Sequence, residues 1–140
     1  MSDLRFAESL SRLGTDFLDI LMCPHGANSP AELLNYPEIF EAFEMLKKAD
    51  KVRHLGVSAH TDPAGIVRAA LKSGVYSVAM VAYNFLNDGF MDGAIRKAYE
   101  AKVGVIGMKV AMSVATQHEQ LKPLPAWREE KLNKIVPGDL

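Results

Sequence analysis

Short apolar runs recur along the chain, and a segment of helical periodicity separates each run from the next. The runs are Phe17-Leu18-Asp19-Ile20-Leu21-Met22, His54-Leu55-Gly56-Val57-Ser58, Val78-Ala79-Met80-Val81 and Gly104-Val105-Ile106-Gly107-Met108. Between them Ile39, Phe43 and Leu46 share one helical face, as do Ile66, Val67, Ala70 and Leu71, and then Met91, Ile95, Ala98 and Tyr99. Phe6, Leu10 and Leu13 make a similar stripe ahead of the first run. Spacings of three and four put residues on one side of a helix, whereas a short continuous apolar run suits a strand buried on both faces. Strands joined through helices are parallel, because a parallel neighbour is reached only by a crossover. The pattern therefore predicts an α/β fold with about four parallel strands. Either a small doubly wound sheet or part of a (β/α) barrel satisfies it, and both gather ligands outside the carboxyl ends of the strands.

Punctuation supports this division. Ser2 or Asp3 can cap the first helix, Pro37 and Asp62-Pro63 open later ones, and Gly14 and Ser73-Gly74 follow helix ends. Residues 23–36 carry Pro24, Gly26, Asn28, Ser29 and Pro30, a loop with room for a short helical turn. Residues 111–140 read as a loop and a short helix near 127–135, closed by Pro137-Gly138. The whole, residues 1–140, is expected to form one domain, with βα units over about 3–110.

Composition removes other classes. With 49% hydrophobic and 24% charged residues and a net charge of -1, the chain is not a disordered tail and offers no electrostatic footprint for nucleic acid. It has no apolar run of the ~20 residues a membrane span needs and no secretory signal pattern, so a cytoplasmic location is expected. One cysteine, Cys23, forms no internal disulfide and excludes a four-cysteine metal centre. Cys23, His25 and His60 fall near one rim, but no H-x-x-x-H spacing supports a metal, and none is expected. Neither G-x-G-x-x-G after a strand nor G-x-x-x-x-G-K-[ST] occurs.

Four stretches, in order, resemble the aldo/keto reductase family. Leu10-Ser11-Arg12-Leu13-Gly14-Thr15-Asp16-Phe17-Leu18-Asp19-Ile20-Leu21-Met22 is similar to that family's helix-then-strand segment leading to a catalytic histidine. Lys51-Val52-Arg53-His54-Leu55-Gly56-Val57-Ser58 is similar to its "GKIRxxGVS" strand, Tyr83-Asn84 to the "YN" after the next strand, and Gly104-Val105-Ile106-Gly107-Met108 to a later strand. The likeness runs over about residues 8–110. It implies a TIM barrel and NADPH-dependent carbonyl reduction, or the reverse oxidation, of a small-molecule substrate. On that alignment the chain carries the fourth to seventh strands, a partial barrel, where a full one takes ~250 residues.

The resemblance also assigns roles. His25 becomes the catalytic histidine that orients the carbonyl, one residue later than the family spacing, which falls on Pro24; a bulge or an altered turn would absorb the difference. Ser58 becomes the residue that binds the nicotinamide carboxamide of NADP. Ala59 stands where Asn is common, Met80 where Gln usually contacts the same amide, and Met108 where Tyr stacks on the ring; a thioether also covers a ring face. Lys109 is a cation able to pair with a phosphate or carboxylate. The family's Asp, Tyr and Lys that supply the proton lie on the first three βα units, which the alignment does not include, and neither Tyr36 nor Lys109 replaces them. Without the resemblance, His25 reads as a loop histidine, Ser58 as a turn cap, Met80 as core and Lys109 as a solvated cation. His54 is read as structural, at the opposite rim, and Trp127 with Leu124 and Ile135 as a helix-docking anchor.

Two functions stay open: an oxidoreductase segment, and a non-catalytic half-barrel that binds or assembles. Four βα units leave two unpaired strand edges and an uncovered face, to which Val57, Val78, Met80, Val105 and Ile106 are expected to contribute. A homodimer of eight strands, a complementing half-barrel or the C-terminal segment would cover them.

Overall fold

The strands β1 (Leu18–Met22), β2 (Val52–Ala59), β3 (Tyr76–Ala82) and β4 (Gly104–Met108) lie side by side in the order β1-β2-β3-β4, and every neighbouring pair is parallel. The computed structural model describes residues 3–23, 27–35, 37–84, 88–110 and 126–135. Helices α1 (Asp3–Leu13), α2 (Pro30–Leu33), α3 (Pro37–Lys48), α4 (Pro63–Ser73) and α5 (Asp88–Glu100) alternate with the strands, and α6 (Ala126–Ile135) follows. The sheet curls into half of a barrel, so the doubly wound alternative is set aside.

The core lies between the sheet and the helices. Leu55 and Val57 of β2, Val81 of β3, Ile66 and Val67 of α4 and Met91 of α5 are each at most 1% exposed. On β2 the alternation that sends Leu55, Val57 and Ala59 toward the helices sends His54, Gly56 and Ser58 to the other, open face. An irregularity interrupts the β2–β3 ladder, where Leu55 pairs with Tyr76 but Gly56 pairs with Val78. The extra residue turns Tyr76 toward the helices, where its ring meets Phe40 edge-on at 5.6 Å between centroids.

Helix α4 sits centrally and is well bounded. Asp62 caps it, accepting a hydrogen bond from Gly65 N at 3.0 Å, and Gly74 at φ 67° ends it. Asp62 adopts a left-handed φ of 40°, and its carboxylate lies so close to Gly65 that a Cβ there would collide with it. Asp62→Ala loses the cap and keeps the strained backbone, an expected cost of about 1–2 kcal/mol. Asp62→Gly relieves the strain and is expected to cost only a few tenths. Urea unfolding of the two variants side by side checks the order; equal losses would show that the cap contributes little.

Several expectations change. β2 starts at Val52, so His54 is its third residue rather than its first. Val57 and Val105 join the helix-side core, because their neighbours in register, Ala79 for both, face that way; Val78, Met80 and Ile106 remain for the open face. Leu13 and Tyr99 are 65% and 82% exposed, since Phe6 with Leu10 and Met91 with Ala94 and Ala98 form the inward stripes. Trp127 is 60% exposed rather than buried as a docking anchor among the described residues. Ser2 and Leu124 lie outside the described residues, as do the side chains of Asp3 and Ile135, so the proposed cap is not seen.

Candidate functional site

Because all four strands run the same way, their carboxyl ends meet at one rim, which carries Cys23, Ser58 to His60, Tyr83, Asn84, Met108 and Lys109. Ser58 stands beside Met80, Met80 beside Ile106, and Ala82 beside Met108. Ser58, Met80 and Met108 therefore share the open face, with Met108 two positions nearer the rim than the row of Ser58, roughly 6–7 Å along the strands.

The segment after β1 is tied to the end of β2. Cys23 N donates to Gly56 O at 2.7 Å, and Ala27 N donates to Ser58 O at 3.0 Å. Thr61 Oγ1 donates to Asn28 O at 2.8 Å, and Asn28 N donates to Glu32 Oε2 at 2.8 Å. Ser29 caps α2 through Glu32 N at 3.1 Å. This is a capping box whose carboxylate reaches one residue further back than usual, and the Ser29-x-x-Glu32 spacing was its available sequence signal. His25 lies outside the described residues, although both of its described flanks are fastened beside Ser58.

The end of β4 is held by the segment after β3. Tyr83 N donates to Met108 O at 3.1 Å, and Asn84 Nδ2 donates to Lys109 O at 3.2 Å. The Tyr83 hydroxyl donates to Asp92 Oδ1 at 3.2 Å. Lys109 takes a left-handed φ of 58°, an uncommon conformation for a side-chain-bearing residue, and the Asn84 bond holds the peptide that follows. Sequence reasoning placed Asn84 only within a motif; the structure makes it a positioning residue for Lys109.

Electrostatically the rim is sparse. Ser58 is half-buried and its Oγ has no hydrogen-bond partner among the described residues. Lys109 is half-buried and makes no ion pair among them. Among the described residues no group of three His, Cys, Asp or Glu side chains is placed to hold a metal. The Arg53–Asp19 pair, at 2.6 Å, is exposed, and the Arg53 guanidinium stacks 4.3 Å from the Phe17 ring centroid. Glu130 on α6 has its carboxyl held below the usual range by the hydrogen bond and charge of Lys134. A groove of about 320 Å³ between α2 and α4, lined by Pro30, Leu34, Asp62, Arg68 and Lys72, belongs to the helix layer rather than to this rim.

The sequence profile of the aldo/keto reductase family matches residues 3–135, nearly the whole chain. The chain belongs to the aldo/keto reductase family. Among solved structures it is similar to an aldo-keto reductase from Bacillus halodurans in its apo form, at 24% identity and a TM-score of 0.57, over 88% of this chain and 40% of that one. It is also similar to an aldo/keto reductase from Brucella melitensis, at 17% identity and a TM-score of 0.54, over 98% of this chain and 62% of that one. The chain thus spans less than two thirds of either solved relative. No curated protein is significantly similar to it. As an aldo/keto reductase family member it carries the four resembling stretches where a half-barrel needs them: into β1, into and along β2, just after β3, and along β4.

Proposed function

We propose that this chain supplies the nicotinamide-facing rim of an NADPH-dependent carbonyl oxidoreductase, acting on a small-molecule carbonyl or the corresponding alcohol in the cytoplasm. The observation that carries the reading is Ser58. Its half-buried hydroxyl, without a partner among the described residues, stands on the open face in the row of Met80 and below Met108. A half-buried hydroxyl is open to a ligand amide, and the hydrogen bond between them adds affinity.

Apolar thioethers beside one hydroxyl fit a flat aromatic carboxamide. Ser58 Oγ holds the amide, while Met80 and Met108 exclude water from the ring. Lys109, fixed by Asn84, offers a cation to a phosphate. His25 orients the substrate oxygen by hydrogen bonding, and carbonyl reduction also needs a proton at that oxygen. A bound nicotinamide supplies or accepts the hydride. The Asp, Tyr and Lys of the family's proton-donating set belong to βα units outside the matched four, so the chain forms the site together with a complementing half.

Titration with NADPH, followed by the cofactor's own fluorescence, tests the reading. Saturable binding is expected, weakened about 5–10-fold by Ser58→Ala, the loss of one hydrogen bond of about 1 kcal/mol. Aldehyde-dependent loss of NADPH absorbance, where present, is expected to disappear in His25→Ala. No binding at about millimolar cofactor would overturn the proposal and favour the non-catalytic module.

A further inference from the structure

We propose that Thr61, acting with Asn28 and Glu32, is a positioning residue for Ser58, a role that rests on the assignment of the Ser58 hydroxyl to a nicotinamide carboxamide. Thr61 latches the segment after β1 onto the end of β2 and so fixes the backbone that carries that hydroxyl. Ser58 is the last but one residue of β2 and needs support on both sides. On the β3 side the ladder supplies it, with Gly56, Val57, Ser58 and Ala59 in register opposite Val78, Ala79, Met80 and Val81. On the β1 side the ladder stops at Met22, which stands opposite Gly56, two residues short of Ser58. Just past it Cys23 N donates to Gly56 O at 2.7 Å, and Ala27 N donates to Ser58 O at 3.0 Å. From Cys23 to Ala27 is four positions, from Gly56 to Ser58 only two, whereas the evenly spaced bonds of a regular parallel ladder advance equally on both strands. The Ala27 bond therefore lies outside the ladder's register, and neighbouring ladder bonds do not hold it in place.

Side chains take over that task. Thr61 Oγ1 donates to Asn28 O at 2.8 Å, which ties the third residue after Ser58 to the residue after Ala27. Asn28 N donates to Glu32 Oε2 at 2.8 Å, and Glu32 N donates to Ser29 Oγ at 3.1 Å, so the same stretch is fastened on its other side to α2. Helix α2 is itself anchored by Leu33, which is fully buried, and Ala27 is buried in the same core. The bonds from Ala27 to Ser58 and from Thr61 to Asn28 close a ring between the two segments, and neither segment slides along the other without breaking both. A carbonyl held by a hydrogen bond fixes the plane of its peptide, and on a strand the direction of the side chain follows from the backbone. The latch thus narrows the angles through which the Ser58 hydroxyl swings, and a preorganised group leaves less ordering for a ligand to supply. Thr61 and Asn28 are exposed, so removing the Thr61 hydroxyl leaves the core intact.

Amide hydrogen exchange and NADPH titration of the full chain test the latch. Thr61→Val removes the hydroxyl and keeps the shape, and Thr61→Ser keeps the hydroxyl. Thr61→Val is expected to speed exchange of the Ala27 amide about fivefold, the order of one lost hydrogen bond. It is expected to weaken NADPH about threefold, less than Ser58→Ala does, because the hydroxyl is still present but less well aimed. Thr61→Ser is expected to restore both. In a Ser58→Ala background Thr61→Val is expected to leave NADPH affinity unchanged, since no hydroxyl is left to aim; a residue acting only on the stability of the fold lowers affinity equally in both backgrounds. Should Thr61→Val fail to fold, Glu32→Ala carries the same expectations, with Glu32→Gln, which keeps an acceptor oxygen for Asn28 N, as its rescue. An unchanged Ala27 amide, an unchanged NADPH affinity in Thr61→Val, or an equal loss in both backgrounds overturns the proposal. Absence of NADPH binding by the wild type overturns the cofactor reading instead, and exchange at Ala27 then decides whether Thr61 holds the end of β2.

Discussion

Ile66→Ala is expected to lower the unfolding free energy by about 2–5 kcal/mol, the range for deleting a buried isoleucine to the β-carbon. Ile66 is 0% exposed and lies in the first turn of α4, whose Ala64, Gly65, Ile66, Val67, Ala69 and Ala70 are all buried. That helix covers β3 and packs against α5 and α2, so the space left by the side chain is walled by several elements and cannot collapse by moving one of them. A domain of this size has about 5–15 kcal/mol in total, so the variant loses a large share of its stability. Urea unfolding with an unchanged slope gives the number. A loss under about 1 kcal/mol would mean that the α4 layer is loosely packed. Met45→Ala, at a side chain 71% exposed, serves as the control and is expected to be near neutral.

Much of this layer was legible locally. Asp62-Pro63 and Ser73-Gly74 bracket α4 as observed, because cap and stop residues act on the turns beside them. β4 likewise spans Gly104–Met108 as the apolar run suggests. Leu13 and Tyr99 show where such reading stops. Helical spacing says which residues share a face; it does not say whether anything stands opposite, and Leu13 and Tyr99 stay exposed among the described residues. Tyr76 was missed as a strand residue because its place depends on the irregular β2–β3 ladder and on Phe40, a distant residue. In the site, Ser58 and Met108 were brought to one rim by an inference that needs only parallel strands. The bond from Asn84 to Lys109 spans 25 positions, and no local pattern encodes it. The Ser29-x-x-Glu32 cap is encoded locally, within a stretch whose Pro and Gly content otherwise spells a loop.

Gly56→Val tests the packing of the open face, because Gly56 lies there beneath the β1 side chains. A Cβ at this position would collide with Met22 Sδ and approach Ile20 Cγ2 at 3.2 Å and Met22 Cε at 3.3 Å. The glycine is therefore explained by close approach rather than by backbone freedom. What the substitution costs depends on where Met22 can go. In an isolated half-barrel the flexible thioether swings into water, and valine, a good strand residue, costs little. Where Ile20 and the β1 strand hold the Met22 side chain in place, the crowding is expected to cost about 1–3 kcal/mol. We expect the larger cost, seen as a lower midpoint of urea unfolding. Gly56→Val combined with Met22→Ala is expected to recover at least half of it, a coupling that single substitutions far apart do not show. If Gly56→Val is neutral, Met22 is free to swing away from the face.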